Sequence, residues 1–201
     1  MKNNKNTSLT VPDLINTGVF TAVYFVLAAV ATFGSAFLIP GYSYVFLPAI
    51  AALISGTVYM LLAAKVQKFG AITIMGMVMG IYFMISGHFI LSFAANIIFG
   101  ILADLMAKSC AYKKKSVLLA SYVVFSYGLT GPVLPMWFMR NAYIANLEAR
   151  GKSAEYIAAM FEHMTTATFF ICVISILICA VIGGLFGQKM IRKHFAKAGI
   201  V

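Results

Sequence analysis

The sequence predicts an all-α integral membrane protein: a bundle of six transmembrane helices with both termini cytoplasmic and a long extracellular helical loop between spans five and six. Three observations carry that prediction. Of 201 residues, 62% are hydrophobic and only 10% charged, with a mean hydropathy of +0.96; an ordinary soluble domain carries about 25% charged residues. The apolar residues fall into long runs, and a helix needs about 20 of them to cross a hydrocarbon core of roughly 30 Å. The basic residues cluster between those runs, as topology signals do. The composition also excludes a disordered chain, which would be poor in apolar residues.

The elements follow in order. Residues 1–9 are polar and basic, and are expected to form a flexible cytoplasmic N-terminus. A cleaved signal peptide is not expected, because the first apolar run is too long and no small-residue cleavage site fits. Thr10, Pro12 and Asp13 form a helix-start pattern, a capping side chain followed by proline and an acid in the first turn. A transmembrane domain over 10–188 then holds spans at about 14–39, 44–64, 71–86, 89–107, 116–138 and 166–187. Pro40-Gly41 ends the first, Lys65 to Lys68 the second, and Ser86-Gly87-His88 divides the third from the fourth. Gly131-Pro132 and Pro135 interrupt the fifth, and residues 189–201 form a basic cytoplasmic tail. This length leaves no room for an attached ATPase, and no Walker motif occurs.

Charge sets the orientation. With the N-terminus inside, Lys2, Lys5, Lys65, Lys68, Lys108, Lys113, Lys114, Lys115, Lys189, Arg192, Lys193 and Lys197 all fall on the cytoplasmic side. Only Arg140, Arg150 and Lys152 fall outside, beside Glu148, Glu155 and Glu162. The net charge of +10 is therefore an orientation signal, and no nucleic-acid partner is expected.

The segment from about 139 to 165 is the one sizeable polar excursion. Asn141 to Ala149 reads as a short helix, Gly151 to Ser153 as a break, and Ser153 as the cap of a second helix. That helix sets Ile157, Met160, Phe161 and Met164 on one face, with Glu155 and Glu162 outside it. Two readings stay open: an interfacial helix leading into span six, or a lid over an outward pocket.

No enzyme motif is present: no HExxH, no GxSxG, no nucleophile–base constellation, and no His/Asp cluster of metal-ligand spacing. No enzymatic activity, metal or cofactor is expected. Cys110, Cys172 and Cys179 form no CxxC pair. One acid, Asp104, lies within a span, sharing a face with Asn96 and Gly100. An intramembrane acid is costly and invites a functional reading as a relay; the alternative is a pairing with Lys108, four residues on.

Small residues spaced four apart let helix backbones approach. Ala52/Gly56, Gly76/Gly80 and Gly183/Gly187 are expected to pack within the chain, whereas Gly18/Ala22, at the start of span one, are candidates for a partner subunit. A second pattern gathers at the outer ends. Tyr44, Tyr82, His88, Tyr127, Trp137, Arg140, Asn141, Tyr143, Glu162 and His163, with Asn96 deeper in span four, surround the proline-broken span five. Breaks free backbone groups that protein, water or ligand must satisfy, and aromatic walls with a few polar groups are the usual form of a small-molecule site. These eleven residues are the substrate-binding candidates, fitting an aromatic or heterocyclic metabolite.

The segments TGVFTAVYFVLAA and GLTGPVLPMWFMRNAYIANLEARGKSAEYI, the size, and the absent ATPase together resemble the substrate-binding S component of energy-coupling factor (ECF) transporters. The nearest likeness is to a branch of unassigned substrate, over about residues 10–195. The resemblance implies a non-enzymatic subunit in the bacterial plasma membrane that captures a vitamin, vitamin precursor or similar metabolite at an outward pocket. It also implies association through span one with a transmembrane coupling subunit carrying two cytoplasmic ATPases. The family's AxxxA pair maps onto Gly18 and Ala22, with glycine in place of the first alanine. The alternative is a self-sufficient proton-coupled carrier using Asp104 and Asn96, although such carriers usually show inverted repeats and none is evident.

Overall fold

The structure, a computed structural model, describes residues 8–195. Lys2, Lys5 and Lys197, with most of the expected N-terminal segment and the end of the basic tail, lie outside the described residues. Every regular element among those described is helical. The order is α1 (Val11–Leu38), α2 (Ser43–Val66), α3 (Ala71–Ile85), α4 (Ile90–Ser109), α5 (Lys115–Ser126), α6 (Pro135–Phe138), α7 (Arg140–Ala149), α8 (Ala154–Phe161) and α9 (Thr166–Met190). A 3₁₀ turn, Tyr127–Thr130, continues α5, and a π turn, Ile191–Phe195, continues α9.

Helix α1 starts as the sequence predicts. The Asp13 carboxylate accepts hydrogen bonds from the Thr10 amide at 2.8 Å and hydroxyl at 2.6 Å, satisfying groups that a helix start leaves open. The same carboxylate pairs with Lys68 at 2.6 Å, which ties the start of α1 to the α2–α3 turn. Gly41 follows α1 with φ +88°, and Gly87 joins α3 to α4 with φ +76°, conformations that favour glycine.

Among the described residues, four helices are long and apolar enough to cross a membrane: Val11–Leu38, Ser43–Val66, Ile90–Ser109 and Thr166–Lys193. The other two expected spans differ. Helix α3 has 15 residues, about 22 Å at 1.5 Å per residue. The expected span over 116–138 is not one helix: α5 ends at Ser126, five residues before Gly131, and tightens into the 3₁₀ turn before four turn residues lead to α6. The tightening precedes the prolines because Gly128 and Gly131 pack directly on α4. A Cβ on Gly131 would lie 2.7 Å from the Ser92 Cα, and one on Gly128 3.3 Å from the Asn96 Cα. At the other end, α9 runs beyond 187, so the first residues of the expected tail are helical.

Small residues form the seams of the bundle. A Cβ on Gly183 would lie 2.5 Å from the carbonyl oxygens of Ala52 and Leu53, and one on Gly187 2.6 Å from that of Gly56. Helices α2 and α9 therefore touch backbone to backbone. Gly76 does the same between α3 and α4, where a Cβ would lie 2.6 Å from the Asn96 carbonyl oxygen. Three of the four small-residue pairs thus pack inside the chain. Gly18 does not: a Cβ there meets nothing within 4 Å, and Ala22 is also exposed.

The main core joins α1–α5 and α9 around Tyr24, Tyr59, Met75 and Tyr122. The Tyr122 hydroxyl donates to the Ala52 carbonyl at 2.5 Å, and the Ser121 hydroxyl to that of Ala103 at 2.6 Å, so buried polar groups cross-link the helices. A satellite core holds the excursion together through Val133, Met136, Tyr143, Leu147, Ile157, Met160 and Phe161. The outer surface is the reverse of a soluble protein's. Phe33, Phe37, Ile174, Ile182 and Phe186 are each more than half exposed, which only an apolar surrounding accommodates.

Candidate functional site

At the end of the bundle away from the basic turns lies a cavity of about 190 Å³. Helix α1 gives it Phe25, Ala28, Ala29 and Thr32; α2 gives Tyr44 and Leu47; α3 gives Met79, Tyr82 and Phe83. His88 closes it from the α3–α4 turn, Leu129, Pro132 and Val133 from the broken segment after α5, and Tyr143 from α7. The break after α5 shapes this wall: it turns the chain aside and brings Leu129, Pro132 and Val133 to the cavity.

Among the described residues, no lysine, arginine, aspartate or glutamate lines the cavity. Its one titratable ring of physiological range is His88. Burial first, then the nearby charge of Arg150, holds that imidazole below its ordinary value, against a hydrogen-bond contribution from the Phe83 backbone. Nδ1 of His88 is buried and has no hydrogen-bond partner among the described residues, a deficit that protein interiors rarely leave. Arg150 is fixed beside the same turn by donating from Nη2 to the Ser86 carbonyl at 3.3 Å.

The excursion covers this end. Ser153 caps α8 by accepting from the Tyr156 amide at 3.2 Å, and Gly151 takes φ +71°, matching the expected break. The hydroxyls of Tyr156 and Tyr44 meet at 2.6 Å, joining α8 to the start of α2. The segment contributes Tyr143 to the cavity wall.

The structure thus brings Tyr44, Tyr82, His88 and Tyr143 together and sets the other seven candidates apart. Asn96 is buried and donates to the Ser92 carbonyl at 2.8 Å. The Tyr127 hydroxyl donates to the Val173 carbonyl at 3.0 Å, and Trp137 Nε1 to the Thr165 carbonyl at 3.0 Å. Arg140 lies over the Phe161 ring at 4.8 Å, and His163 stacks on Tyr42 at 4.3 Å. Asn141 and Glu162 are exposed. Sequence reasoning missed the apolar lining residues Leu47, Met79, Phe83, Leu129 and Val133, and the whole contribution of α1. Phe25, Ala28, Ala29 and Thr32 fall at helical spacing, an aromatic, two small residues and a hydroxyl on one face, a signal hidden within a wholly apolar run.

Asp104 is not paired with Lys108. It is fully buried; Oδ2 accepts from the amides of Gly70 (2.8 Å) and Thr73 (3.0 Å) and from the Thr73 hydroxyl (2.9 Å), and Oδ1 from the Tyr112 hydroxyl (2.6 Å). Its carboxyl closes the N-terminus of α3, satisfying amides that a helix start leaves open. Lys108 instead sits over the Phe69 ring at 5.1 Å. Among the described residues no group of three or more His, Cys, Asp or Glu is placed to hold a metal ion.

One family model, described as hypothetical bacterial integral membrane protein (Trep_Strep), matches residues 11–197. The chain belongs to that family. It is a multi-pass membrane protein, as the family description and the apolar helices agree. Neither curated proteins nor solved structures yield a match.

Proposed function

We propose that this member of the family is the substrate-binding S component of an energy-coupling factor importer. In this reading it crosses the bacterial plasma membrane six times, with α3 as the third span and α5 with its 3₁₀ turn as the fifth. Both termini are cytoplasmic, and the cavity faces outward. It binds and releases a small molecule without chemical change, while a coupling subunit and two ATPases supply the work.

The observation that carries the reading is the cavity itself, about 190 Å³ with aromatic walls, no charged lining residue and an unpartnered His88 Nδ1. Such a lining suits an uncharged aromatic or heterocyclic metabolite, or the uncharged portion of one, that makes a hydrogen bond to the imidazole. The open face of α1 around Gly18 and Ala22 supports docking of a coupling subunit, because every other small-residue pair is already used inside the bundle. The hydrogen bonds that saturate Asp104 weigh against the proton-coupled carrier, which would need that group free to exchange its proton.

The test is purification in mild detergent followed by mass spectrometry of the retained small molecule. His88→Ala and Tyr143→Ala are expected to weaken its binding by about tenfold or more, the scale of one lost buried hydrogen bond or aromatic contact. Unchanged affinity in both variants would remove the cavity from the site. Copurification with coupling modules, lost on Gly18→Leu/Ala22→Leu, tests the partner.

A further inference from the structure

At the opposite end of the molecule, α9 carries a second feature that the proposed function does not use. Ile171, Ile174, Ile178, Ile182 and Leu185 recur every three or four residues, so they share one face, and each is about half exposed. The same spacing continues into Lys189 and Arg192. There the face meets the start of α5, and a cavity of about 220 Å³ lies between Lys115, Leu185, Gln188, Lys189 and Arg192. Its walls are held together by Gln188, whose Nε2 donates to the Lys115 carbonyl at 2.8 Å.

Three cations border this cavity, and none has a carboxylate partner among the described residues, where the one ion pair is Lys68–Asp13. Like charges gathered around one hollow repel one another unless an anion sits between them. Arginine and lysine suit phosphate, the first through its planar fork of donors and the second as a point charge. The position selects the source of that phosphate. Leu185 is a wall of the cavity, and the apolar stripe runs from it along a helix long and apolar enough to cross a membrane. A molecule with a phosphate at one end and acyl chains at the other meets both parts of the surface at once.

We infer that Lys115, Lys189 and Arg192 form a binding site for the headgroup phosphate of an anionic phospholipid, whose acyl chains lie along the Ile171–Leu185 stripe of α9. The lipid belongs to the leaflet on the side of the basic turns. By bridging the start of α5 and the end of α9 it adds to the link that Gln188 makes at this rim. This inference does not depend on the ECF reading and stands or falls separately from it.

The experiment measures phosphatidylglycerol and phosphatidylcholine retained by the full chain, purified from mixed micelles of the two, by native mass spectrometry. The wild type is expected to retain phosphatidylglycerol preferentially, with retention falling about fivefold for each cation removed in Lys115→Gln, Lys189→Gln and Arg192→Gln. These positions are exposed, so the variants are expected to fold; an unchanged unfolding temperature checks this. Lys189→Arg keeps the charge and is the second variant, expected to retain the lipid. Control changes at Lys113 and Lys114, outside the cavity, are expected to leave retention unchanged. Equal losses from the controls would reduce the site to general surface charge and overturn the proposal. So would displacement of the lipid by millimolar inorganic phosphate, which would assign the site to free phosphate.

Discussion

The α3–α4 hairpin has two ends, and they treat a buried polar group in opposite ways. At one end Asp104 accepts four hydrogen bonds and closes the N-terminus of α3. At the other, His88 leaves Nδ1 without a partner and faces a cavity. A burial cost fully offset by hydrogen bonds marks a structural device; a cost left standing marks a place awaiting something else. The difference separates the part of the molecule that holds its shape from the part proposed to receive a ligand.

The comparison can be broken most directly at Asp104. Asp104→Ala strands two amides and two hydroxyls and is expected to cost about 3–5 kcal/mol, read as a large fall in unfolding temperature in detergent. Asp104→Asn, which keeps an acceptor, is expected to cost less. His88→Ala is expected to cost less, about 1 kcal/mol, because Nδ1 makes no hydrogen bond among the described residues and the loss is confined to the ring's contacts with Phe83. Equal losses at the two ends would erase the distinction.

Acid sharpens it further. The folded His88 titrates below the ordinary 6.5, so the unfolded chain takes up its proton first. The contribution is complete above about pH 6.5 and falls as the pH drops from there toward the folded value. The difference in stability between wild type and His88→Gln is therefore expected to be flat above that pH and to move against the wild type below it. The smallest effect is expected at Gly18→Leu/Ala22→Leu: at an exposed face that touches nothing, stability changes by about 0.5 kcal/mol or less. A large loss would mean that α1 packs more tightly than its open face implies.

Much of this fold was legible in the sequence because its signals are local. The Thr10/Asp13 start, the Ser153 cap and the Ile157–Met160–Phe161 face each involve residues within one or two turns. The small-residue pairs were legible as close-packing surfaces, but spacing could not say which helix each would meet. The site was less legible for a related reason. Aromatic residues near a span end serve equally as membrane-interface anchors, as helix tethers such as Trp137, or as cavity walls such as Tyr143, and only three-dimensional packing separates these roles. Asp104 shows the same limit. Its neighbour in sequence, Lys108, is reached by helical spacing, while its actual partners are Gly70 and Thr73 at the start of the preceding helix and Tyr112 in the turn after its own.

The shortness of α3 has an elastic consequence. In the proposed topology its 15 residues, about 22 Å, must match a hydrocarbon layer of roughly 30 Å. The bilayer beside it then thins, or the flanking turns are drawn toward the hydrocarbon, at a fraction of a kcal/mol per ångström. The turn drawn in on one side carries His88 and the cavity mouth. In that proposed arrangement lipid thickness becomes a mechanical variable at the cavity.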